Sequence, residues 1–519
     1  TGLGTLRCSL ENRGSRNYSK QVSLRVGTSG RDAEMVALAL PQGIVRSPAA
    51  AYPVAFEDAP RDPSEYAEPW FAWERDGAVA GVAWDAGTAK IDQGYRTSLR
   101  SAEHTLRSGE RSPEVGFAIY GGTGSWRQAR AALLGWGGAR PPKEDLPTRP
   151  AILARLEPEV LVTVADHAEA TLVVDSAANR PANCRVEIHC EGGLSADLCS
   201  FPIEGLRRGK GVGRTVRLSL PKGQLGVFRG ELELTLDRYE DRRPFHVVRL
   251  GADSPVTVEE TPRADQTVWE IDNGISQFQL APAFGPSMVA WLYEGKNQLQ
   301  STFAEPQGFG WIYPHFGGLH ALLLPAGSWV WEGYLHREAF VAIPVTSTDG
   351  SGIQWKGVRL SARLREDKLR DLGVELDYLT LGRAKVLKLV YRLRNLRGTE
   401  RKVNAGLRLT CALGVDPQAL TLHGEGVAHR PTPWGASFEG RAWGALTNEA
   451  TGSTMLLVSD GRDVGLDDMG IAGRILGASR EVLLAGNETR ELVYYFLLAS
   501  SLEEACQHLV LRGQSERST

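Results

Sequence analysis

The chain has 519 residues, 59 basic and 62 acidic side chains, and a formal net charge of −3. So even a balance excludes a polybasic nucleic-acid or membrane-surface protein, and no apolar run reaches the ~18–20 residues of a membrane span. The length exceeds the ~250–300 residues at which one core stops growing, so several domains are expected.

Fifty-eight glycines and 27 prolines suit a protein of many short strands and turns. Thirteen tryptophans against 4 methionines suit packed cores, and exposed ones make flat platforms for sugar rings. The first residue is Thr1, which raises the expectation of a processed, trimmed or partial chain. Cys8, Cys184, Cys190, Cys199, Cys411 and Cys506 contain no Cys-x-x-Cys pair, so a zinc ribbon or thioredoxin-like site is not expected. Cys184, Cys190 and Cys199 lie close in sequence, leaving open either one local disulfide or small buried side chains.

Along the chain, LENRGSRNYSKQVSLRV (10–26) has an Asn before a polar loop and an alternating strand. WERDGAVAGVAWD (73–85) is an acid-containing turn followed by an apolar strand ending in Asp. LRSGERSPEVGFAIY (106–120) and a helical SWRQARAALLGW (125–136) close the series. The same events recur in LRNLRGTERKVNAGLRL (393–409), TNEATGSTMLLVSD (447–460), LLAGNETRELVYYF (483–496) and a second helix, SLEEACQHLVLRG (501–513). That helix carries a Ser cap, two early acids and a closing Gly. Gly109 and Glu114 keep the spacing of Gly486 and Glu491. Four matches in one order, at offsets near about 380, predict duplicated structure. Only the later copy is preceded by further strand-rich sequence, from about Val256 to Tyr391. Residues 1–140 are therefore expected to be the C-terminal half of a domain, with open sheet edges. Its complement would be an upstream fragment of the same precursor, and a homo-oligomer is the other expected way of covering it.

Residues 141–150, PPKEDLPTRP, are expected to be a linker. Roughly seven alternating strands in 151–252 predict an immunoglobulin-like β-sandwich. Its RRGKGVGR (207–214) is a basic hairpin and no phosphate loop. Residues 253–512 are expected to form a complete large β-domain, with 513–519 as a tail.

In that domain, VWEIDNGISQFQLAPAFGPSMVAWLYEGKNQL (268–299), GWIYPHFGGLHALLLP (310–325), YRLRNLRGTERKV (391–403) and AGNETRELVYYF (485–496) resemble the galactose mutarotase-like supersandwich. This all-β fold of large antiparallel sheets occurs in aldose epimerases, glycoside hydrolases and polysaccharide lyases. The resemblance implies a carbohydrate ligand and an extracellular, periplasmic or cell-surface location. Aldose epimerases carry a His-Pro-Tyr-Phe stretch whose His works on the sugar ring. Here the order is Tyr313-Pro314-His315-Phe316, so simple mutarotase activity is not expected.

The densest cluster of His, carboxylate and aromatic residues is 308–338, which holds 3 of the 10 histidines. Hydrolysis of a glycosidic bond calls for two carboxyl groups, and Glu332 would pair with Glu375 or Asp377. Elimination beside a uronate calls for a base, an acid and a cation clamp. His315 or His336 would be the base, Tyr313 or Tyr334 the acid, and Arg337 or Arg359 the clamp. The catalytic candidates are thus His315, Glu332, Tyr334 and His336; Trp311, Tyr313, His320, Trp331, Arg337 and Arg359 are candidates for substrate binding. In WVWEGYLHREAF (329–340), strand alternation would place Glu332, Tyr334 and His336 on one face. Equally, Gly317-Gly318 suits a tight turn and a polar strand face is often only solvated.

No cofactor is expected. Asp463, Asp467 and Asp468 are a candidate for calcium, as are His423, Glu425 and His429 for another metal. Two functions follow. In one, an exported protein binds and cleaves a polysaccharide or glycoside; in the other, a non-catalytic protein binds glycan or self-assembles at the cell surface. Catalysis requires at least two of His315, Glu332, Tyr334 and His336 to converge in an open groove.

Overall fold

The computed structural model describes residues 2–26, 35–41, 43–48, 60–92, 97–136, 146, 148–150, 152–176, 181–207, 209–236, 239–309, 312–328, 330–413, 419–469 and 473–517. Nearly all of its regular structure is antiparallel strand.

The last unit is a supersandwich of a ten-stranded and a nine-stranded sheet. Alternation explains how they face each other. In Leu372–Thr380, residues Leu372, Val374, Leu376 and Tyr378 point into the shared core, while Glu375 and Asp377 point away. Across the core, Leu319, Ala321 and Leu323 of Leu319–Pro325 and Ala405, Leu407 and Leu409 of Arg401–Thr410 do the same. Each sheet therefore keeps a second face outside the core. The outer face of the ten-stranded sheet carries the hairpin Gln307–Phe309/Ile312–His315.

The strand order of this unit occurs twice. Val386–Asn395, Thr489–Ala499, Thr454–Ser459, Trp443–Asn448, Leu420–Gly424 and Val427–His429 are neighbours in that order. Gly2–Cys8, Val115–Thr123, Ala78–Trp84, Trp70–Arg75, Met35–Leu40 and Gly43–Pro48 repeat it. The second layers match as well: Arg401–Thr410, Arg474–Leu484 and Val464–Asp468 against Ser23–Val26, Thr97–Ser101 and Thr88–Asp92. Both copies are fastened by the same Asn. Asn395 Nδ2 donates to Thr399 O at 2.7 Å and its Oδ1 accepts from Arg397 N at 3.1 Å. Asn12 Nδ2 donates to Arg16 O at 2.7 Å and its Oδ1 accepts from Gly14 N at 2.9 Å. The residue pairing differs by one from the Gly109–Gly486 spacing read in the sequence. Glu110 and Glu488 are the equivalent acids, each accepting from the backbone N–H three residues earlier. Gly109 and Asn487 both adopt left-handed backbone.

Between the units lies a sandwich of a four-stranded and a five-stranded sheet, from Ile152–Glu157 to Tyr239–Arg249. Nine strands occur where about seven were expected. Its core is continuous on one side with that of the first unit, and on the other Val162, Val248 and Leu250 join Trp355, Leu379 and Tyr495 of the last. Much of 141–150 lies outside the described residues, but Thr148–Pro150 is a strand paired parallel to Gly43–Pro48 rather than a free linker.

Both expected helices form. Trp126–Trp136 packs on the first sheet through Trp126, Ala129, Leu133 and Leu134. Leu502–Gln507 starts where the Ser501 side chain accepts from Glu504 N, then tightens into 3₁₀ turns over His508–Arg517 instead of running to Gly513. All six cysteines are free, with Cys184 and Cys411 buried. No helix among the described residues is long and apolar enough to cross a membrane.

Candidate functional site

Gly317 and Gly318 fold the hairpin back onto the ten-stranded sheet. Both have left-handed φ, of +63° and +64°, and a Cβ would meet Gln300 O at 2.4 Å or Met288 O at 2.2 Å. Only glycine suits that approach. The next residues, Leu319–Pro325, alternate, so His320 points to the outer face while Leu319 and Ala321 enter the core. Arg408 is the cross-strand partner of His320.

Glu332 reaches the same place from a turn. Residues 331–337 are not a strand, which corrects the alternation expected there. Glu332 lies in a turn and Leu335–Arg337 is a 3₁₀ helix, anchored where Tyr334 N donates to Leu323 O at 3.2 Å. The Tyr334 ring consequently leaves Glu332 and packs in the intersheet core, beneath the Arg337 guanidinium at 4.9 Å.

Three of the expected residues converge. His315 Nδ1 lies 2.8 Å from Glu332 Oε1 in a hydrogen bond, and His320 Nε2 lies 2.7 Å from Glu332 Oε2 without hydrogen-bond alignment. Burial alone would push the Glu332 carboxyl up. The His320 charge and the contacts from both imidazoles outweigh it and hold the group well below the usual carboxylate range. Arg408 lies with its guanidinium 3.7 Å from the centre of the half-buried Trp331 ring. Its burial lowers its pKa to about 10 despite the Glu332 charge. His336, half-buried, stacks obliquely on Phe316 at 5.5 Å; burial and then the Arg337 charge push its pKa down.

The cluster is covered. His315 and His320 are each 2 % exposed and Glu332 5 %. Phe309 stacks on His315 at 4.4 Å. Within this lining, His315 Nε2, His320 Nδ1, His336 Nδ1, Arg408 Nη1, Gln300 Oε1 and Thr410 Oγ1 are buried with no hydrogen-bond partner. Tyr313, in the second strand of the hairpin, is 78 % exposed.

The remaining candidates lie elsewhere. Arg337 faces Glu366 at 3.5 Å and lines a groove on the nine-stranded sheet. Arg359 is not free to clamp a substrate here. It sits on the nine-stranded sheet, bound to Asp377 at 2.6 and 2.8 Å, and Glu375 and Asp377 are with it rather than with Glu332. Trp311 lies outside the described residues. The two candidate metal groups are dispersed: Asp463 engages Arg480, Asp467 engages Ser437, and Asp468 engages Arg474 and His429. Glu425 turns to Arg462. Arg408, Gln300 and Thr410 were not singled out from the sequence. The alternation of VNAGLRL (403–409) places Arg408 opposite the core, but only strand pairing brings it to His320.

No family model matches the chain, and no curated protein sequence matches it. Among solved structures it is similar to a galactose mutarotase-like protein from Clostridium acetobutylicum, at 11 % identity and a TM-score of 0.37, over 47 % of this chain and 99 % of that one. A candidate aldose 1-epimerase from Klebsiella pneumoniae subsp. pneumoniae is similar at 8 % identity and a TM-score of 0.38, over 57 % of this chain and 90 % of that one. The alpha-galactosidase from Lactobacillus brevis is similar at 11 % identity and a TM-score of 0.32, over 46 % of this chain and 40 % of that one.

Proposed function

We propose that this protein binds carbohydrate on the outer face of the ten-stranded sheet, at the rim formed by Tyr313, Trp331 and Arg408. One observation carries the reading: the exposed Tyr313 ring and the half-buried Trp331 ring, with the Arg408 guanidinium stacked on it, belong to this face. A sugar ring offers an apolar C–H face to such rings and hydroxyls to polar groups at the same surface. The His315–Glu332–His320 cluster then serves as the rigid underside of the hairpin that presents Tyr313. A polysaccharide ligand would place the protein where such polymers are met, outside the cytoplasm.

Binding without cleavage is the favoured form, because each acid or base of the cluster is covered. Cleavage is the second reading, favoured by the 2.8 Å contact between His315 and Glu332, a base held by a carboxylate. The test is titration of the full chain with a panel of neutral and uronate oligosaccharides, reading heat of binding, new reducing ends and absorbance of unsaturated uronates. Binding that is weakened in Tyr313→Ala, with no new ends, supports the reading. New ends would replace it with the catalytic one, and absence of any binding would overturn both.

A further inference from the structure

The outer face of the nine-stranded sheet carries a groove that the sugar rim does not use. It has a volume of about 1250 Å³ and lies open to solvent across Val341, Ser361, Gly373, Arg392 and Thr489, residues of five successive strands. Four strand spacings make it ~19 Å long. Its lining holds Arg337, Arg363, Arg365, Arg370, Arg392 and Arg394 with four carboxylates, and Asp367, Asp377 and Glu491 beside it pair with Arg370 and Arg392.

Ion pairs occupy four of these six arginines. Asp371 is shared by Arg363 at 2.8 Å and Arg397 at 3.1 Å, so one acid answers two guanidinium groups. Glu338 is spent on the backbone N–H groups of Arg365 and Glu366, at 2.8 and 2.7 Å. Arg392 is held by Asp377 at 2.6 Å and Glu491 at 2.8 Å and forms the neutral floor. Arg394 and Arg365 are exposed and make no ion pair among the described residues. Gly373 lies between Arg363 and Arg394 in the strand register, leaving a notch with no side chain between two guanidinium groups.

We propose that this groove binds an extended polyanion of the acidic-polysaccharide class, with successive carboxylates seated on Arg394 and Arg365. Guanidinium groups take carboxylates in two-pronged hydrogen bonds, which suits this pairing. A single-stranded nucleic acid is disfavoured because the lining has no aromatic ring for base stacking. The site is on the opposite sheet from the sugar rim and does not depend on it.

The experiment is native affinity electrophoresis of the full chain in gels containing polygalacturonate, with neutral dextran and single-stranded poly(dT) as comparisons. Expected is retardation by polygalacturonate alone, weakened at least tenfold in the Arg365→Ala/Arg394→Ala double variant and unchanged in Arg408→Ala. Both groove positions are exposed, so the double variant retains the wild-type melting temperature. Gly373→Val, which fills the notch without removing charge, is expected to weaken retardation as well. No retardation by polygalacturonate, retardation unchanged in the double variant, or preference for poly(dT) would each overturn the proposal. Loss in Arg408→Ala alone would assign the polymer to the sugar rim instead.

Discussion

Replacing Glu332 by Gln preserves the shape of the buried cluster and removes its charge. The carboxylate makes two contacts, 2.8 Å to His315 and 2.7 Å to His320, in a setting almost without water. Hydrogen bonds to a charged group contribute about 1.5–3 kcal/mol and neutral ones about 0.5–1.5. Only the His315 contact is a hydrogen bond, so Glu332→Gln is expected to lower stability by about 1–2 kcal/mol. Glu332→Ala strands both imidazoles and opens a cavity, costing about 4 kcal/mol or more. Urea unfolding of the full chain at pH 7 measures both. The folded carboxyl titrates below its unfolded value of about 4.3, so its contribution is present above that pH. As pH falls further, wild type loses this contribution and Gln does not, so their difference shrinks. A Gln variant within about 0.5 kcal/mol of wild type at pH 7 would refute the network and leave three buried side chains with no mutual energy.

Gly318→Ala combines a left-handed backbone with a contact at 2.2 Å to Met288 O, and should cost about 3 kcal/mol in urea unfolding. Asn395→Ala and Asn12→Ala each break a side-chain clamp on a loop; each should cost about 2–3 kcal/mol, and unequal losses would show the clamps to differ energetically. Tyr313→Ala removes an exposed ring, so the melting temperature should stay within about 1 °C while sugar affinity falls, as read by calorimetry.

The all-β class and the paired large sheets were legible because strand alternation is local. VRLSAR and GVELDY declare their faces without reference to a partner. The concentration of His315, His320 and Glu332 was legible from density alone. Their mutual geometry was not. Whether 331–337 continues as a strand is decided by Gly333, whose left-handed φ of +62° breaks it, and by Tyr334 docking on Leu323. Period-two reading of Glu332, Tyr334 and His336 has no access to either. Arg408 was invisible for a related reason. It lies 88 residues from His320, and their adjacency exists only in the register of two strands. Arg359 misled in the opposite direction, since an Arg near acids in sequence reads as available when Asp377 already holds it.

The middle sandwich has no private interior. Its buried side chains run into those of the unit before it, and Val162, Val248 and Leu250 run into those of the unit after it. Loosening it would expose apolar surface in its neighbours as well as its own. Cooperativity in unfolding follows contacts of this kind rather than chain segments. A calorimetric scan should accordingly show fewer transitions than there are sandwiches, with the middle one melting together with a neighbour. Excising it would not shorten the molecule so much as leave two wet scars. The part that looks like a spacer in the chain is, thermodynamically, a keystone.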